Sequence, residues 1–304
     1  MTPPGFADAV PLDGYTWWYL DVLDPASGQG LVVIFLLGNV FSPRYARARK
    51  QNPADPLDFC AVNVALYGPV RAWAMTEHPP AAVVRDAGQL TLGASTLTWD
   101  GDDLVARLSE RTAPFPGRIA GEVRLRPTAR PGLHHRLDAA GLHHWWPVAP
   151  VATAEVTLQR PDVRFTGLAY HDMNHGAGPL EQSFRAWDWA RASHAEATEV
   201  VYDAVERDGS APRFGARFGA DGSVTPVDPA EVTPLPRGRW GVQGQARAAG
   251  PVTVRAVLED TPFYTRSWLE GPAGHAMHES LDLDRFDRGW VRFLLPFRMR
   301  GGFG

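Results

Sequence analysis

GLAYHDMNHGAGPLEQSFRAWDWARAS, residues 167–193, sets Tyr170, His171, Asp172, Asn174 and His175 between two strand-like runs and follows them with Trp187 and Trp189. The flanking runs, Val163 to Ala169 and Phe184 to Ala192, are short and rich in Val, Leu and aromatic residues, which is the composition of half-buried strands. The polar cluster between them reads as a short turn at the mouth of a β-barrel. Its acid, Asp172, has aromatic and imidazole neighbours and few charges. Burial in such surroundings disfavours the anion, so a fraction of the carboxyl stays protonated at neutral pH and can act as a Brønsted acid. The competing reading is an Asx turn in which Asp172 and Asn174 bond only their own backbone. Composition alone does not separate the two.

Moving outward, 30 glycines and 27 prolines punctuate the whole chain of 304 residues. This frequency of breakers between apolar runs is that of β-sheet. The spacing predicts strands at Thr16 to Leu23, Leu31 to Gly38, Phe59 to Tyr67, Val70 to Thr76, Gln89 to Leu92, Thr96 to Trp99, Leu104 to Ser109 and Arg118 to Arg126. Eight strands suffice to close a barrel. A second set begins with Ala154 to Gln159 and Val163 to Ala169 and continues through Phe184 to Ala192, Glu199 to Glu206, Arg213 to Phe218, Arg239 to Ala246, Val252 to Leu258, Phe263 to Glu270 and Met277 to Leu281. The aperiodic segment Pro127 to Pro150 separates the sets, so the chain is expected to divide into lobes 1–150 and 151–304. Two helices are expected. One is Pro43 to Asn52; the other is Asp284 to Leu295, whose Phe286, Trp290, Phe293 and Leu294 share a face that reads as core packing rather than membrane docking.

Charge and cysteine content narrow the function. Thirty basic against 34 acidic residues give a net charge of −4, which argues against a nucleic-acid partner. The single Cys60, in FCAVNVALY, allows no intramolecular disulfide and reads as a small buried hydrophobe. No basic-then-apolar leader is seen, so the protein is expected in the cytoplasm. The longest charge-free apolar run, Gly30 to Pro43, has 14 residues, short of the roughly 20 that a membrane helix needs. Any membrane contact is therefore expected to be peripheral.

The ten histidines include the pairs His134–His135 and His143–His144. Neighbours on an extended chain point to opposite sides, so neither pair chelates by itself, and no HExxH pattern accompanies them; no metal is expected. No GxSxG, GxGxxG or phosphate-binding loop occurs, which argues against nucleophilic hydrolysis and nucleotide binding, and no cofactor is expected. What is left is acid chemistry in an apolar setting. His144, in HHWWP, and His171 or His175 could relay a proton, imidazole being matched to neutral pH. Trp146, Tyr170, Trp187 and Trp189 could present ring faces to a carbocation at about 0.5 to 2 kcal/mol per contact. Each of these aromatics could equally be barrel core.

Ordered blocks along most of the chain carry a family resemblance: DGYTWWYLD, VFSPRYARAR, CAVNVALYG with WAMTE, LTWDGDDL, HHWWPVAP, GLAYHDMNHGAGPLEQSFRAWDWAR and SLDLDRFDRGWVRFLLPFRM. The chain resembles the carotenoid 1,2-hydratases, the hydroxyneurosporene synthases of bacterial carotenoid pathways. The resemblance implies two lipocalin-like β-barrel lobes and cofactor-free addition of water to the terminal C1=C2 bond of an acyclic carotene. It implies His144, Trp146, Tyr170 and Asp172 as the working residues, with Asp172 donating the proton, Trp146 and Tyr170 facing the cation and His144 taking the proton from water. Trp187, Trp189, His171, His175 and Asn174 are expected to line the substrate, although the resemblance gives His171 and His175 no role. Two alternatives remain open at this point: a carotenoid or lipid carrier without chemistry, and an isomerase or cyclase on the same fold.

Overall fold

The computed structural model describes residues 3, 5–228 and 231–301. The chain forms two compact units, one of Met1–Pro179 with Phe293–Gly304 and one of Leu180–Arg292. Both are built from antiparallel strands with a few short helices, in line with the all-β expectation.

The first unit holds twelve strands: β1 (Tyr15–Asp24), β2 (Gln29–Leu37), β3 (Cys60–Tyr67), β4 (Ala72–His78), β5 (Val83–Arg85), β6 (Gln89–Leu92), β7 (Ser95–Asp100), β8 (Asp103–Arg111), β9 (Arg118–Ala129), β10 (His135–Arg136), β11 (His143–Arg160) and β12 (Asp162–Gly176). They make one nearly closed barrel sheet in the order β4-β3-β2-β1-β12-β11-β9-β8-β7-β6-β5, with β10 on β11. Side-chain alternation fills the barrel: Trp18, Leu20 and Val22 of β1, Leu104, Ala106 and Leu108 of β8, and Ala154, Val156 and Leu158 of β11 all enter one buried cluster. Helix α1 (Pro43–Arg49) starts on Ser42, whose hydroxyl accepts from the Tyr45 N–H.

Two expectations are corrected here. The lobe boundary does not fall at residue 150, which lies inside β11. The strands expected to open the second lobe, 154–159 and 163–169, are β11 and β12 and complete the first sheet. The supposed turn at 170–175 is strand: β12 runs from Asp162 to Gly176 without a break. Asp, Asn and His are tolerated there because the segment pairs with β1 residue by residue on one side and with β11, across its bulges, on the other.

The second unit holds β13 (Phe184–His194), β14 (Ala197–Glu206), β15 (Arg213–Gly219), β16 (Val224–Pro226), β17 (Glu231–Pro234), β18 (Gln245–Ala248), β19 (Thr253–Asp260), β20 (Tyr264–Gly271) and β21 (Gly274–Asp282). Seven form a sheet in the order β16-β15-β14-β13-β21-β20-β19, and β17 pairs with β18. Of the expected strand 239–246 only the end is strand, in β18. Asp284 to Leu295 is broken into α2 (Leu283–Phe286) and α3 (Gly289–Leu294). Its expected core face is divided: Phe286 is buried, but Trp290 and Phe293 are 44% and 69% exposed.

Candidate active site

Strand parity decides which side chains meet. In the β11–β12 ladder Trp145 lies opposite Asn174, Trp146 opposite Met173 and His144 opposite His175. Opposed residues share a face and successive residues alternate. Tyr170, Asp172 and Asn174 therefore share a face with Trp145 and His143. His171, Met173 and His175 share the other with His144 and Trp146. On β1 the first face is continued by Tyr19 opposite Asp172 and Asp21 opposite Tyr170, and the second by Trp18 and Leu20. Met173, Trp18 and Leu20 belong to the barrel core, so the second face is the barrel interior and the first its outside.

On the outer face Asp172 is 3% exposed. Its Oδ2 accepts two hydrogen bonds, from Trp145 Nε1–H at 2.7 Å and from the Tyr170 hydroxyl at 2.8 Å. With both acceptor positions of that oxygen used, a proton on this carboxyl sits on Oδ1. The two donors also stabilise the anion left behind when the proton is given away. Tyr19, whose hydroxyl donates to Asp21 Oδ2 at 2.8 Å, presents its ring edge to Tyr170 at 6.3 Å. His143 is fully buried, with Nδ1 3.0 Å from the Tyr15 hydroxyl and its backbone N–H donating to Asp138 Oδ1. Burial pushes its imidazole down to about 4, against the opposing pull of Asp138, so it is neutral at physiological pH. Gly176 makes this fit possible: a Cβ there would lie 2.3 Å from the Tyr15 ring and 2.7 Å from His143 Nδ1.

On the inner face His144 Nδ1 is hydrogen-bonded to His134 Nε2 at 2.8 Å, and His134 stacks on Trp146 at 4.7 Å. His175 Nδ1 bonds the Thr16 hydroxyl at 2.9 Å. His171 Nδ1–H donates to the Tyr19 carbonyl at 2.7 Å, which fixes the tautomer and leaves Nε2 as the acceptor; burial brings this ring down to about 4 as well. A cavity of about 290 Å³ opens beside it, walled by Phe6, Trp18, Trp99 and Trp146, with Arg130 stacked on Trp99.

The structure brings residues 143–146 beside Asp172, but the expected pair does not point toward it. His144 and Trp146 face away from Asp172; the side chains that share its face are His143 and Trp145, one residue earlier. A bulge follows at once, where Pro147 and Val148 interrupt the register between Trp146 and Ala149. Among the expected substrate residues, Asn174 is buried on the acid's face, while His171 and His175 are on the other. Trp187 and Trp189 belong to the second unit, where they pack against Phe184 at 5.6 Å and Tyr202 at 6.4 Å. Between them in sequence lies a second buried acid, Asp188, pushed up to about 7 by burial and held by the Ser280 hydroxyl and the Gln245 N–H. Among the described residues its hydrogen-bond partners are the Ser280 hydroxyl and the Gln245 N–H, and His278 Nε2 lies 3.8 Å from Oδ1.

The family model for carotenoid hydratase CrtC matches residues 33–301. The chain belongs to the carotenoid hydratase family. Within that family it is 43% identical to the acyclic carotenoid 1,2-hydratase of Thiocapsa roseopersicina and 39% identical to that of Rubrivivax gelatinosus, each over 97% of this chain and 75% of the relative. It is 35% identical to the hydratase of Cereibacter sphaeroides, covering 88% of this chain and 97% of that one. Two solved structures share the hydratase chain's fold at low identity: an AttH from Nitrosomonas europaea (TM-score 0.59, 16% identical, covering 92% of this chain and 98% of that one) and CghA with Sch210972 (0.54, 14%, 92% and 95%).

Proposed function

We propose that this protein adds water across the terminal C1=C2 double bond of an acyclic carotene, giving a tertiary 1-hydroxy product, and that Asp172 is the proton donor. The observation that carries this reading is the buried Asp172 carboxyl with Trp145 and Tyr170 both donating to one oxygen, in a chain 35–43% identical to three acyclic carotenoid 1,2-hydratases.

The chemistry follows from the side chains on that face. An isolated alkene is a very weak base, so the proton must come from an acid shielded from water and the cation must be stabilised as it forms. Asp172 Oδ1–H gives its proton to C2, and the π pair becomes the new C–H bond, leaving a tertiary cation at C1. The rings of Tyr170 and Trp145 provide the electron-rich faces next to it. Water adds to C1 through oxygen. The protonated tertiary alcohol is a very strong acid, so even the neutral His143, a weak base, is able to take its surplus proton. Return of that proton to Asp172 restores the starting state, and the net change is one water added. His143 and Trp145 replace His144 and Trp146 in these roles because they share the acid's face.

The substrate is a hydrocarbon that resides in lipid, so the enzyme meets it at a membrane surface. No helix among the described residues is long and apolar enough to cross a membrane, which suits a peripheral mode of contact. The test is to feed lycopene or neurosporene to lysate containing the protein and to separate the products. Wild type is expected to give pigment heavier by one water, with the oxygen drawn from H₂¹⁸O. Asp172→Asn should give about 10² to 10⁴-fold less while remaining folded. Near-normal turnover by that variant would remove Asp172 as the acid, and a product of unchanged mass would indicate an isomerase or carrier.

A further inference from the structure

The three turns joining β3 to β4, β8 to β9 and β11 to β12 lie at one end of the first unit's barrel, where Val70, Arg71, Thr112, Arg118, Arg160 and Pro161 border an open cavity of about 580 Å³. Arg111 lies opposite Arg118 in the β8–β9 ladder. Further along the same strands the arginines are neutralised: Arg107 pairs with Glu122, Arg124 with Asp100 and Asp103, and Arg126 with Asp103 and Glu155. At the turn end this stops. Among the described residues, Arg111, Arg118 and Arg160 have neither an ion pair nor a side-chain hydrogen bond. Asp162 follows Pro161 at the same turn but forms no ion pair with them among the described residues, and a cluster of unpaired arginines is unexpected on a chain of net charge −4.

Aromatic side chains project from the same end. Phe115, at the tip of the β8–β9 turn, is 79% exposed. The C-terminal segment is tied beside it: Arg300 donates to the carbonyls of Thr112 and Pro114, and the Arg298 guanidinium lies 4.2 Å over the Trp73 ring of β4. This segment brings Phe293 and Phe297, with rings 5.5 Å apart and exposures of 69% and 63%. Exposed aromatic rings among unpaired arginines match the chemistry of a bilayer interface, where rings enter the headgroup layer and guanidiniums bind phosphate.

We propose that this end of the barrel is a docking surface for a bilayer containing anionic phospholipid, with Phe115, Phe293 and Phe297 inserted and Arg111, Arg118 and Arg160 on the lipid phosphates. The proposal deepens the hydratase reading and rests on it only for the need to reach a lipid-borne substrate.

Co-sedimentation of the full chain with vesicles, without substrate, tests it. Wild type should pellet with vesicles containing phosphatidylglycerol, far less with pure phosphatidylcholine, and less as salt is raised. The triple variant Arg111→Gln, Arg118→Gln, Arg160→Gln should lose at least about tenfold in partitioning, and Phe115→Ser with Phe297→Ser should lose partitioning at every salt concentration. Arg107→Gln with Arg126→Gln, which removes ion-paired arginines of the same strands, should pellet like wild type. Folding of each is checked by circular dichroism. Failure of wild type to pellet, or pelleting of both test variants at the wild-type level, overturns the proposal. Turnover of detergent-dispersed carotene is measured in parallel and should be unchanged in all variants. Its absence in wild type, with vesicle binding intact, would count against the hydratase reading and leave the docking surface standing.

Discussion

The outer and inner faces of the β11–β12 ribbon carry similar residues to different ends. Each has histidine and tryptophan side chains; the outer face adds the Tyr170 hydroxyl and the Asp172 carboxyl, the inner face Met173. Outside, the tryptophan nitrogen and a tyrosine hydroxyl converge on a carboxylate oxygen. Inside, the histidines bond one another, a threonine or a carbonyl, and the tryptophan stacks. Residue type therefore does not distinguish a reactive cluster from a lining; the direction in which the pleat points each side chain does.

The most severe way to break this contrast is Asp172→Asn. It should lower hydration by about 10² to 10⁴-fold, the usual worth of a general acid, with the melting temperature nearly unchanged; chromatographic product yield is the measure. Next comes the matched pair Trp145→Phe and Trp146→Phe. Losing the indole donor to Asp172 should cost about 1.5 to 3 kcal/mol, or about tenfold to a hundredfold in turnover, while Trp146→Phe should cost much less. Equal losses would erase the distinction between the faces. Asp188→Asn should affect turnover less than either change on the acid's face, and a loss as large as that of Asp172→Asn would move the proton donor to the second unit.

One further effect falls on stability rather than on turnover, and the two faces share it. His143 outside and His171 inside are both held neutral by burial, with folded values of about 4 against an ordinary 6.5. Below 6.5 the unfolded chain takes up protons that the folded chain refuses. Their contribution is thus complete above about pH 6.5 and is lost as pH falls toward 4, by at most about 3 kcal/mol for each ring. Urea titrations at pH 7 and pH 5 should show the loss, and His143→Gln or His171→Gln should each flatten it. His171→Gln should leave turnover at pH 7 nearly unchanged.

Much of this was legible from local pattern. Alternating runs between glycines and prolines marked most strands, and Tyr170 and Asp172, two apart, had to share a face if extended. The order His143, His144, Trp145, Trp146 was not decidable in the same way, because both parities present one histidine and one tryptophan. Only the cross-strand register, a long-range pairing, selects between them. The polar run HDMNH misled for a related reason: its residue types favour turns, and strand pairing on both sides overrode that preference. The lobe boundary was misplaced because bulged β11 lacks a clean period across Pro147 and Pro150. The unpaired arginines at the barrel end were invisible in a composition so uniformly rich in arginine.

The bulge at Pro147 and Val148 has a consequence for how such a sequence can change. Before it, odd-numbered residues of β11 face outward; after it, Ala154, Val156 and Leu158 are core, but so is Ala149. A second irregularity, between Ala149 and Ala152, restores the phase, so even-numbered residues face inward both at His144 and Trp146 and from Ala152 to Leu158, and only Ala149 between the two is inverted. A deletion of one residue there would exchange inside for outside along one of the two stretches, a larger injury than any point substitution. Length variation at this site is therefore tolerable only in steps of two, and each half of the strand can drift without altering the other's orientation.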